Sequence, residues 1–350
     1  MQTRDIVAIG GSTGSLESIE QIVSTLPSDF PASIFVVVHL STDFPSTLHE
    51  RISRAGLLPA TEAVDGEPIR HGHIYVARPD YHLELESGRM RVLRGPRENR
   101  HRPAIDPLFR SAAREFGTRV VGIILSGFHD DGAVGLYAVR QRGGIAIVQD
   151  PRDASSPQMP ASAIRYANPA YVLRTHKIGP KLIQLAQSTP EHIAMPNKKS
   201  KRKNFIHQVS GKTSRQAEAN LNSRYNDEGE GSPSVFACPE CHGVLWELKN
   251  GDMVRFRCRV GHSYTHDSLA GGLSESAEAA LWAAMRALEE KAAMQRRVAD
   301  RLGPSDASAR RLRDQSSADE ASARIIREMI LGRDALLQPP GKAARSAKAG

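Results

Sequence analysis

The chain has 350 residues, three cysteines and a formal net charge of +8. Its hydrophobic content of 40% is enough for a substantial core, and its length suggests two or three domains. It contains no apolar run of about 18 residues and no secretory signal at its start, so we expect a cytoplasmic protein without membrane insertion. The positive charge is widely spread, and we do not expect nucleic-acid binding from it.

Residues 1–175 alternate Ile- and Val-rich runs with helical patterns. "DIVAIGG" precedes "SLESIEQIVSTLP", and "TRVVGIILSG" precedes "AVGLYAVRQRG". This alternation predicts an α/β fold with a doubly wound, mostly parallel, Rossmann-like sheet that helices cover on both faces. The stretch "HIYVARPDYHLELESGRMRVLRG" predicts a β-hairpin or an antiparallel edge instead, with a turn at Ser87-Gly88.

The second half of the chain changes character several times. A basic and polar stretch that includes "NKKSKRKN" is typical of a largely disordered linker. All three cysteines then fall within one small module, and helical patterns follow it. The predicted segments are a linker at 176–233, a zinc-ribbon-like module at 234–270, a helical hairpin or dimerising coil at 271–338 and a disordered tail at 339–350.

Two helices are predicted in the 271–338 segment. Ser274 and Ser276 are candidate N-caps of the first, and Gly303-Pro304 is its stop signal. The second should span about 306–337, ending before a pair of prolines.

The glycine-rich turn "GGSTGS" follows the first predicted strand. Its glycine spacing fits neither a dinucleotide fingerprint nor a Walker loop, which would also need a lysine. Residues Gly10 to Gly14 do match G-x-S-x-G, in which a sharp turn presents a serine at the end of a strand. Ser12 is therefore a candidate nucleophile, and the pattern alone leaves a plain strand-to-helix connection open.

A serine nucleophile needs a base, and the base needs an acid to orient it. His39 ends the run "SIFVVVH", and Asp130 and Asp131 follow the run "RVVGIILSG". The carboxyl ends of parallel strands share one edge of the sheet, so these side chains could meet Ser12 in one crevice. A single histidine after an apolar strand is more often structural, and the catalytic interpretation depends on all three strand ends together.

Four motifs in order, "AIGGSTGS", "VVVHL", "NRHRPAIDPLF" and "GIILSGFHDDGAVGL", resemble the catalytic domain of the CheB-type protein-glutamate methylesterases of chemotaxis. The resemblance implies hydrolysis of glutamate γ-methyl esters on methylated chemoreceptors or similar signalling proteins, with release of methanol. Some members of that family also deamidate glutamine. It also implies Ser12 as nucleophile, His39 as general base and Asp131, which directly precedes Gly132, as the acid.

The proposed chemistry needs no catalytic cofactor and uses the surroundings of the serine. Backbone N–H groups that include that of Thr13 would hold the oxyanion. Arg100 and Arg102 belong to the motif "NRHRP" that resembles a family motif near the site, and they are candidates for holding an acidic receptor surface. Structural salt bridges are an equally good interpretation of both arginines.

The sequence departs from the family pattern in three places. Ser15 stands where the family usually has glycine, and Phe128-His129 replaces a Met-Gly pair before the acid. Chemotaxis members also generally carry an N-terminal receiver domain that takes part in a phosphorelay, whereas this chain begins at the first catalytic strand. We therefore expect a different regulation and a site lining of its own.

The cysteine module has the spacing of a metal site. Cys238 and Cys241 form one pair, and Cys258 and His262 form a second pair after a hairpin-length segment with a predicted turn at Asn250-Gly251. Three thiolates and one imidazole suit a tetrahedral structural zinc ion with no open position for catalysis. His242 and His266 remain alternative fourth ligands.

Two functions are compatible with these patterns. The first is a serine esterase whose C-terminal module docks it to a partner. The second is a catalytically altered signalling scaffold whose ribbon and helices bind a protein or nucleic acid.

Overall fold

The structure, a computed structural model, describes residues 3–39, 46–187, 231–250 and 253–336. Most of the predicted linker, the predicted tail and Gly251 of the predicted turn lie outside these residues. The predicted start of the linker at 176 was wrong, because Thr175–Gln187 is a helix whose apolar side chains join the core. The chain divides into two compact units, Met1–Leu269 and Ala270–Gly350. The first unit contains both the large sheet and the cysteine module.

Seven parallel strands form the large sheet. In spatial order they are β3 (Ala60–Glu62), β4 (His73–Val76), β2 (Ser33–Val38), β1 (Ile6–Gly11), β7 (Val120–Ile124), β8 (Ile145–Gln149) and β9 (Tyr171–Leu173). The strand order reverses at β1, which has β2 on one side and β7 on the other. In such sheets the crevice beyond the carboxyl ends of the strands at the reversal is the usual binding site.

Helices cover both faces of this sheet, which confirms the predicted doubly wound α/β fold. Alternate residues of β1 enter opposite cores, with Val7 and Ile9 on one face and Ile6 and Ala8 on the other. All six residues of β1 are buried, as expected of a strand covered on both sides. The helices are α1 (Leu16–Ser24), α2 (Leu48–Ala55) and α6 (Thr175–Gln187) on the first face, and α3 (Ile105–Phe116), α4 (Ala133–Gln141) and α5 (Gln158–Ala167) on the second.

The predicted β-hairpin is formed by β5 (His82–Glu86) and β6 (Arg89–Leu93). Its turn lies at Ser87 and Gly88, which both adopt positive φ. Leu83 and Leu85 join the core cluster that contains α3, so the hairpin extends that face of the domain. The prediction was wrong for the start of that stretch, because His73–Val76 is β4, which pairs in parallel with β2 and β3 inside the large sheet.

The cysteine module is a four-stranded antiparallel sheet. Its strands are β10 (Ser232–Ala237), β11 (Val244–Asn250), β12 (Met253–Cys258) and β13 (Ser263–Thr265). Strands β11 and β12 flank the predicted turn at Asn250-Gly251 and pair antiparallel.

Helices α7 (His266–Leu302) and α8 (Ala307–Leu336) follow, and the prediction for the start of α7 was wrong. Ser274 and Ser276 lie inside the helix instead of capping it. The cap is Thr265: its Oγ1 accepts a hydrogen bond from the N–H of Ser268, and Ser268 Oγ accepts one from the N–H of Thr265. This reciprocal pair is a capping box with serine at the third helical position. The end at Leu302, before Gly303-Pro304, matches the prediction.

The second unit is a helical hairpin. Lys291 of α7 pairs with Asp319 of α8, and Glu289 pairs with Arg327, so the two helices run antiparallel. Ser316 Oγ also donates a buried hydrogen bond to the carbonyl of Ala292.

Candidate active site

Ser12 lies directly after β1, on a tight turn that several hydrogen bonds brace. Its N–H donates to the carbonyl of Ser126, just beyond the end of β7, at 2.9 Å. Ser126 Oγ donates in turn to the carbonyl of Thr13 at 2.7 Å. Ser15, the residue that departs from the family pattern, is buried and donates from its Oγ to the carbonyl of Ser12 at 2.7 Å. Hydrogen bonds with Ser126 of a neighbouring strand end and with Ser15 of the turn itself therefore hold Ser12 in place.

Two glycines allow the chain to approach so closely here. Gly14 has φ of +74°, and a Cβ added to it would lie 2.5 Å from the Cβ of Ser155. A Cβ on Gly127 would lie 2.8 Å from the Cβ of Ser12. A positive φ and such close contacts both require glycine.

His39 follows β2, the strand next to β1. The last paired residues of these strands are Gly11 and Val38, so Ser12 and His39 are the next residue on each strand. His39 Nε2 lies 2.8 Å from Asp131 Oδ2 and, because a carboxylate only accepts, it carries the proton. The other nitrogen, Nδ1, is buried without a hydrogen-bond partner among the described residues, Ser12 included. The structure therefore brings His39 and Asp131 into contact and places Ser12 beside them without a hydrogen bond to His39.

Asp131 is completely buried at the N-terminus of α3. Its Oδ2 accepts the N–H of Ile105 at 2.6 Å, and its Oδ1 accepts the N–H of Asp106 at 3.3 Å and the Nδ2 of Asn99 at 2.9 Å. Burial alone would raise the pKa of Asp131, but the hydrogen bond and charge of His39, together with these donors, hold the pKa well below its ordinary value. Asp131 is therefore an ionised acceptor for His39.

Comparison with known proteins identifies the family of this part of the chain. The family model described as CheB methylesterase matches residues 7–182, which are 176 of the 350 residues. The chain belongs to the CheB methylesterase family. The crystal structure of the Thermotoga maritima CheB methylesterase catalytic domain is 35% identical, with a TM-score of 0.50, over 52% of this chain and 98% of that one.

Curated relatives in this family match the same half of the chain. The protein-glutamate methylesterase/protein-glutamine glutaminase of Escherichia coli K12 is 33% identical over 187 residues, covering 52% of this chain and 53% of that protein. The Ralstonia nicotianae protein of the same name is 36% identical over 185 residues, covering 52% and 48%. A Leptospira interrogans relative is 35% identical over 188 residues, covering 53% and 97%. The chain thus spans about half the length of the first two relatives and nearly all of the third.

The CheB-like motif "NRHRPAIDPLF" supplies contacts that sequence reasoning missed. Asn99 Nδ2 bridges two buried carboxylates, those of Asp131 and Asp106, at 2.9 Å from each. Burial, and then the negative charge of Asp131, raises the pKa of Asp106 to about 7. The signal available in the sequence was the motif itself, which was noted but not connected to the acid.

His101, from the same motif, stacks on the catalytic candidate His39. The two ring centroids are 3.5 Å apart and the planes are inclined by only 10°. Burial, followed by the charge of His39, lowers the pKa of His101 to about 3. His101 is therefore a neutral flat surface at physiological pH, and it fixes the plane of the His39 ring.

The other predicted residues are placed as follows. Thr13 is exposed, and its N–H has no hydrogen-bond partner in the described part of the chain. Arg102 donates from Nε and Nη2 to Asp80 Oδ1 and from Nη1 to the carbonyl of Gly95, which is the structural salt bridge that the sequence left open. Arg100 is half-buried, with φ of +71°.

Asp130, the acid that the sequence disfavoured, makes no hydrogen bond to His39 among the described residues, since His39 Nε2 pairs with Asp131 and His39 Nδ1 has no partner there. Its carboxyl group contacts the side chain of Thr265 in the cysteine module, and burial raises its pKa to about 6. The structure thus separates the two neighbouring aspartates, one facing the histidine and the other facing the module.

The predicted metal ligands come together at one end of the four-stranded sheet. Their ligand atoms all lie within 4.8 Å of one another, and the set is Cys238, Cys241, Cys258 and His262. His266 is instead 78% exposed beside Asp267, and His242 is not part of the cluster.

The distances within this cluster fit a tetrahedral zinc ion. Zn–S bonds of about 2.3 Å and Zn–N bonds of about 2.0 Å would separate two thiolates by about 3.8 Å, and a thiolate from an imidazole nitrogen by about 3.5 Å. Cys241 Sγ lies 3.6 Å from Cys258 Sγ, and His262 Nδ1 lies 3.5 Å from Cys258 Sγ and 3.6 Å from Cys238 Sγ. Glu240 approaches the other nitrogen of His262 at 3.7 Å, as outer carboxylates commonly do.

Proposed function

We propose that this chain is a serine hydrolase that removes methyl esters from glutamate side chains of chemoreceptor-like signalling proteins and releases methanol. The observation that carries the proposal is the His39–Asp131 hydrogen bond of 2.8 Å beside Ser12, at the ends of neighbouring strands. Membership of the CheB methylesterase family and the names of the curated relatives support the choice of ester.

The first half of the reaction begins at Ser12. His39 Nδ1, whose lone pair has no partner among the described residues, accepts the hydroxyl proton while Ser12 Oγ attacks the ester carbonyl carbon. The protonated ring is held by Asp131 and by the stacked His101. When the carbon–oxygen bond to the methoxy group breaks, His39 returns the proton and methanol leaves.

The second half releases the glutamate. His39 accepts a proton from water, the resulting hydroxide attacks the glutamyl-enzyme ester, and Ser12 Oγ leaves with that proton. The N–H of Thr13, which has no hydrogen-bond partner among the described residues, would hold the negative oxygen in both halves, and one such donor is typically worth about 3 kcal/mol.

The same machinery could act on glutamine, with ammonia as the leaving group in place of methanol. The printed names of the relatives include protein-glutamine glutaminase, which supports this second activity. The partner of this chain would be a methylated chemoreceptor or a similar protein in the cytoplasm. In the described part of the chain, no helix is both long and apolar enough to cross a bilayer.

The direct test is methanol release from a methylated chemoreceptor. Ser12→Ala should abolish release, whereas Ser24→Ala, which removes an exposed serine of α1, should retain it. Equal release by wild type and Ser12→Ala would refute the proposal. No hydrolysis of any methyl ester by wild type would favour the alternative, a signalling scaffold that retains the fold.

The cysteine cluster is proposed as a structural zinc site. Four protein ligands leave no position for substrate, so the ion would stabilise the module. Native mass spectrometry of the full chain should show one zinc ion per chain, and Cys241→Ser should reduce that content.

A further inference from the structure

The ribbon module is paired directly with the segment that carries Asn99. The N–H of Asn99 donates to the carbonyl of Ser263 in β13 at 2.7 Å, and the N–H of Ser263 donates back to the carbonyl of Arg97 at 3.4 Å. Glu98 and Ser263 form a parallel bridge between the same two segments. Residues 97–99 thus lie against β13, at the edge of the ribbon sheet.

A buried ionic network fixes this pairing. Arg255 of β12, only 1% exposed, donates to Glu98 at 3.2 Å and to Ser263 Oγ at 2.6 Å. Glu98 also accepts two hydrogen bonds from Arg110 of α3, at 2.8 and 2.9 Å. Burial alone would raise the pKa of Glu98, but the charges of Arg110 and Arg255 outweigh it and lower the pKa to about 2. Because a buried carboxylate is costly without its partners, Arg110 and Arg255 together hold the Glu98 side chain in place.

The ribbon also decides which way the Asn99 amide faces. Its Oδ1 accepts a hydrogen bond from Ser268 Oγ at 3.1 Å. It also accepts one at 3.1 Å from the backbone N–H of Thr265, which this N–H shares with Ser268 Oγ in the capping box. A backbone N–H can only donate, so the amide oxygen must face the ribbon. The amide nitrogen therefore faces the carboxylates and holds Asp131 in place for His39.

The metal ligands lie close to these contacts along the chain. Cys258 ends β12 and His262 directly precedes β13, so an ion bound to both closes the turn between the strands. Thr265, at the end of β13, is three residues from His262. The cluster can thus hold in place the strand that orients Asn99.

We propose that Asn99 is a positioning residue for Asp131, and that the metal-loaded ribbon keeps its amide in the working orientation through Thr265 and Ser268. The inference rests on the proposed esterase function for its meaning in catalysis. Under this proposal, the ribbon supports the reactivity of Ser12 without touching substrate, and loss of the metal ion lowers that reactivity.

The main variant is Ser268→Ala, and its control is Ser274→Ala, an exposed serine of the same helix. Two rates are measured on the full chain: methanol release, and the covalent labelling of Ser12 by a fluorophosphonate. Both are divided by the titre of active serine, so that a variant that merely unfolds loses titre and not rate. We expect Ser268→Ala to lower kcat and the labelling rate roughly tenfold with KM unchanged. This is less than the roughly 100-fold that a misplacement of about 1 Å can cost, because the N–H of Thr265 still donates to Asn99 Oδ1 in this variant. Asn99→Ala should lower them further.

The second measurement does not depend on activity. Hydrogen exchange of the peptide that spans residues 97–106 is followed in wild type stripped of metal by a chelator and in the same sample reloaded with zinc. Stripping should accelerate this exchange and zinc should reverse it, and Ser268→Ala should resemble the stripped protein.

The outcomes separate the two proposals. Unchanged exchange on stripping, or unchanged rates per active serine in Ser268→Ala, would overturn the positioning proposal. If wild type releases no methanol, the proposed function fails, and the exchange experiment still decides whether the ribbon holds Asn99.

Discussion

Replacing Asp131 with asparagine should abolish most of the activity while changing almost nothing in volume. The wild-type carboxylate accepts four hydrogen bonds, two at each oxygen. Asparagine has one oxygen, so its NH2 group must face one of these pairs of donors. At the Oδ2 position it meets the N–H of Ile105 and His39 Nε2, and at the Oδ1 position it meets Asn99 Nδ2 and the N–H of Asp106.

Either placement of the amide leaves at least one buried backbone N–H without an acceptor. The stability cost of such a group is about 1–3 kcal/mol. At the Oδ2 position the NH2 group can also force His39 into the opposite tautomer, with the proton on Nδ1, where it cannot act as the base for Ser12. In the serine-protease triad this exchange costs about 10⁴-fold in kcat, or about 5.4 kcal/mol at about 1.36 kcal/mol per factor of ten.

The assay is methanol release by purified Asp131→Asn, with thermal unfolding to show that the variant is folded. We expect kcat to fall by about 10⁴-fold. Asp130→Asn is the matched control, because that carboxyl group contacts Thr265 and makes no hydrogen bond to His39 among the described residues, and it should lose much less activity. A folded Asp131→Asn that keeps kcat within about tenfold of wild type would show that Asp131 does not orient the base.

Two further predictions concern stability and the turn at Ser12. Glu98→Gln should destabilise the protein by about 3–5 kcal/mol at pH 7 in urea denaturation, because it leaves buried arginine charge without its partner. The pKa of Glu98 in the folded protein is lowered to about 2, so its contribution to the free energy of unfolding is complete above the ordinary pKa of about 4.3 and fades toward pH 2. A stability difference between wild type and Glu98→Gln that did not shrink from pH 5 to pH 2.5 would contradict the pairing. Gly14→Ala should lower both Tm and kcat, since a left-handed backbone conformation costs about 1–2 kcal/mol for alanine and the added Cβ would clash with Ser155. A variant with wild-type Tm and kcat would show that the turn tolerates a side chain.

The sequence was sufficient to predict the large sheet because the signals for its strands lie within short segments of the chain. Ile- and Val-rich runs mark β1, β2 and β7, and the polar residue after each run lies at the shared edge of the sheet. The start of α7 was missed because Gly271 and Gly272 are poor helix formers that suggested a later beginning. The capping box also uses Ser268 where glutamate or glutamine is usual.

The contacts around Asn99 could not be predicted because no local pattern encodes them. Its partners lie 7 and 32 residues away on the carboxylate side, and 166 and 169 residues away on the ribbon side. The sequence did indicate which four candidate ligands come together, because spacing alone defines two ligand pairs on two turns. What it could not show is which part of the molecule the ribbon faces.

The long sequence separation between Asn99 and its ribbon partners has a consequence for the synthesis of the protein on the ribosome. Ser12, His39 and Asp131 all emerge before Thr265, which follows Asn99 by 166 residues. At about 5–20 residues per second, translation reaches Thr265 roughly 8–30 seconds after Asn99. During that interval, water must donate the hydrogen bonds that Asn99 Oδ1 later accepts from Thr265 and Ser268. The nascent chain thus carries its candidate nucleophile, Ser12, for some time before the hydrogen bonds from Thr265 and Ser268 to Asn99 can form.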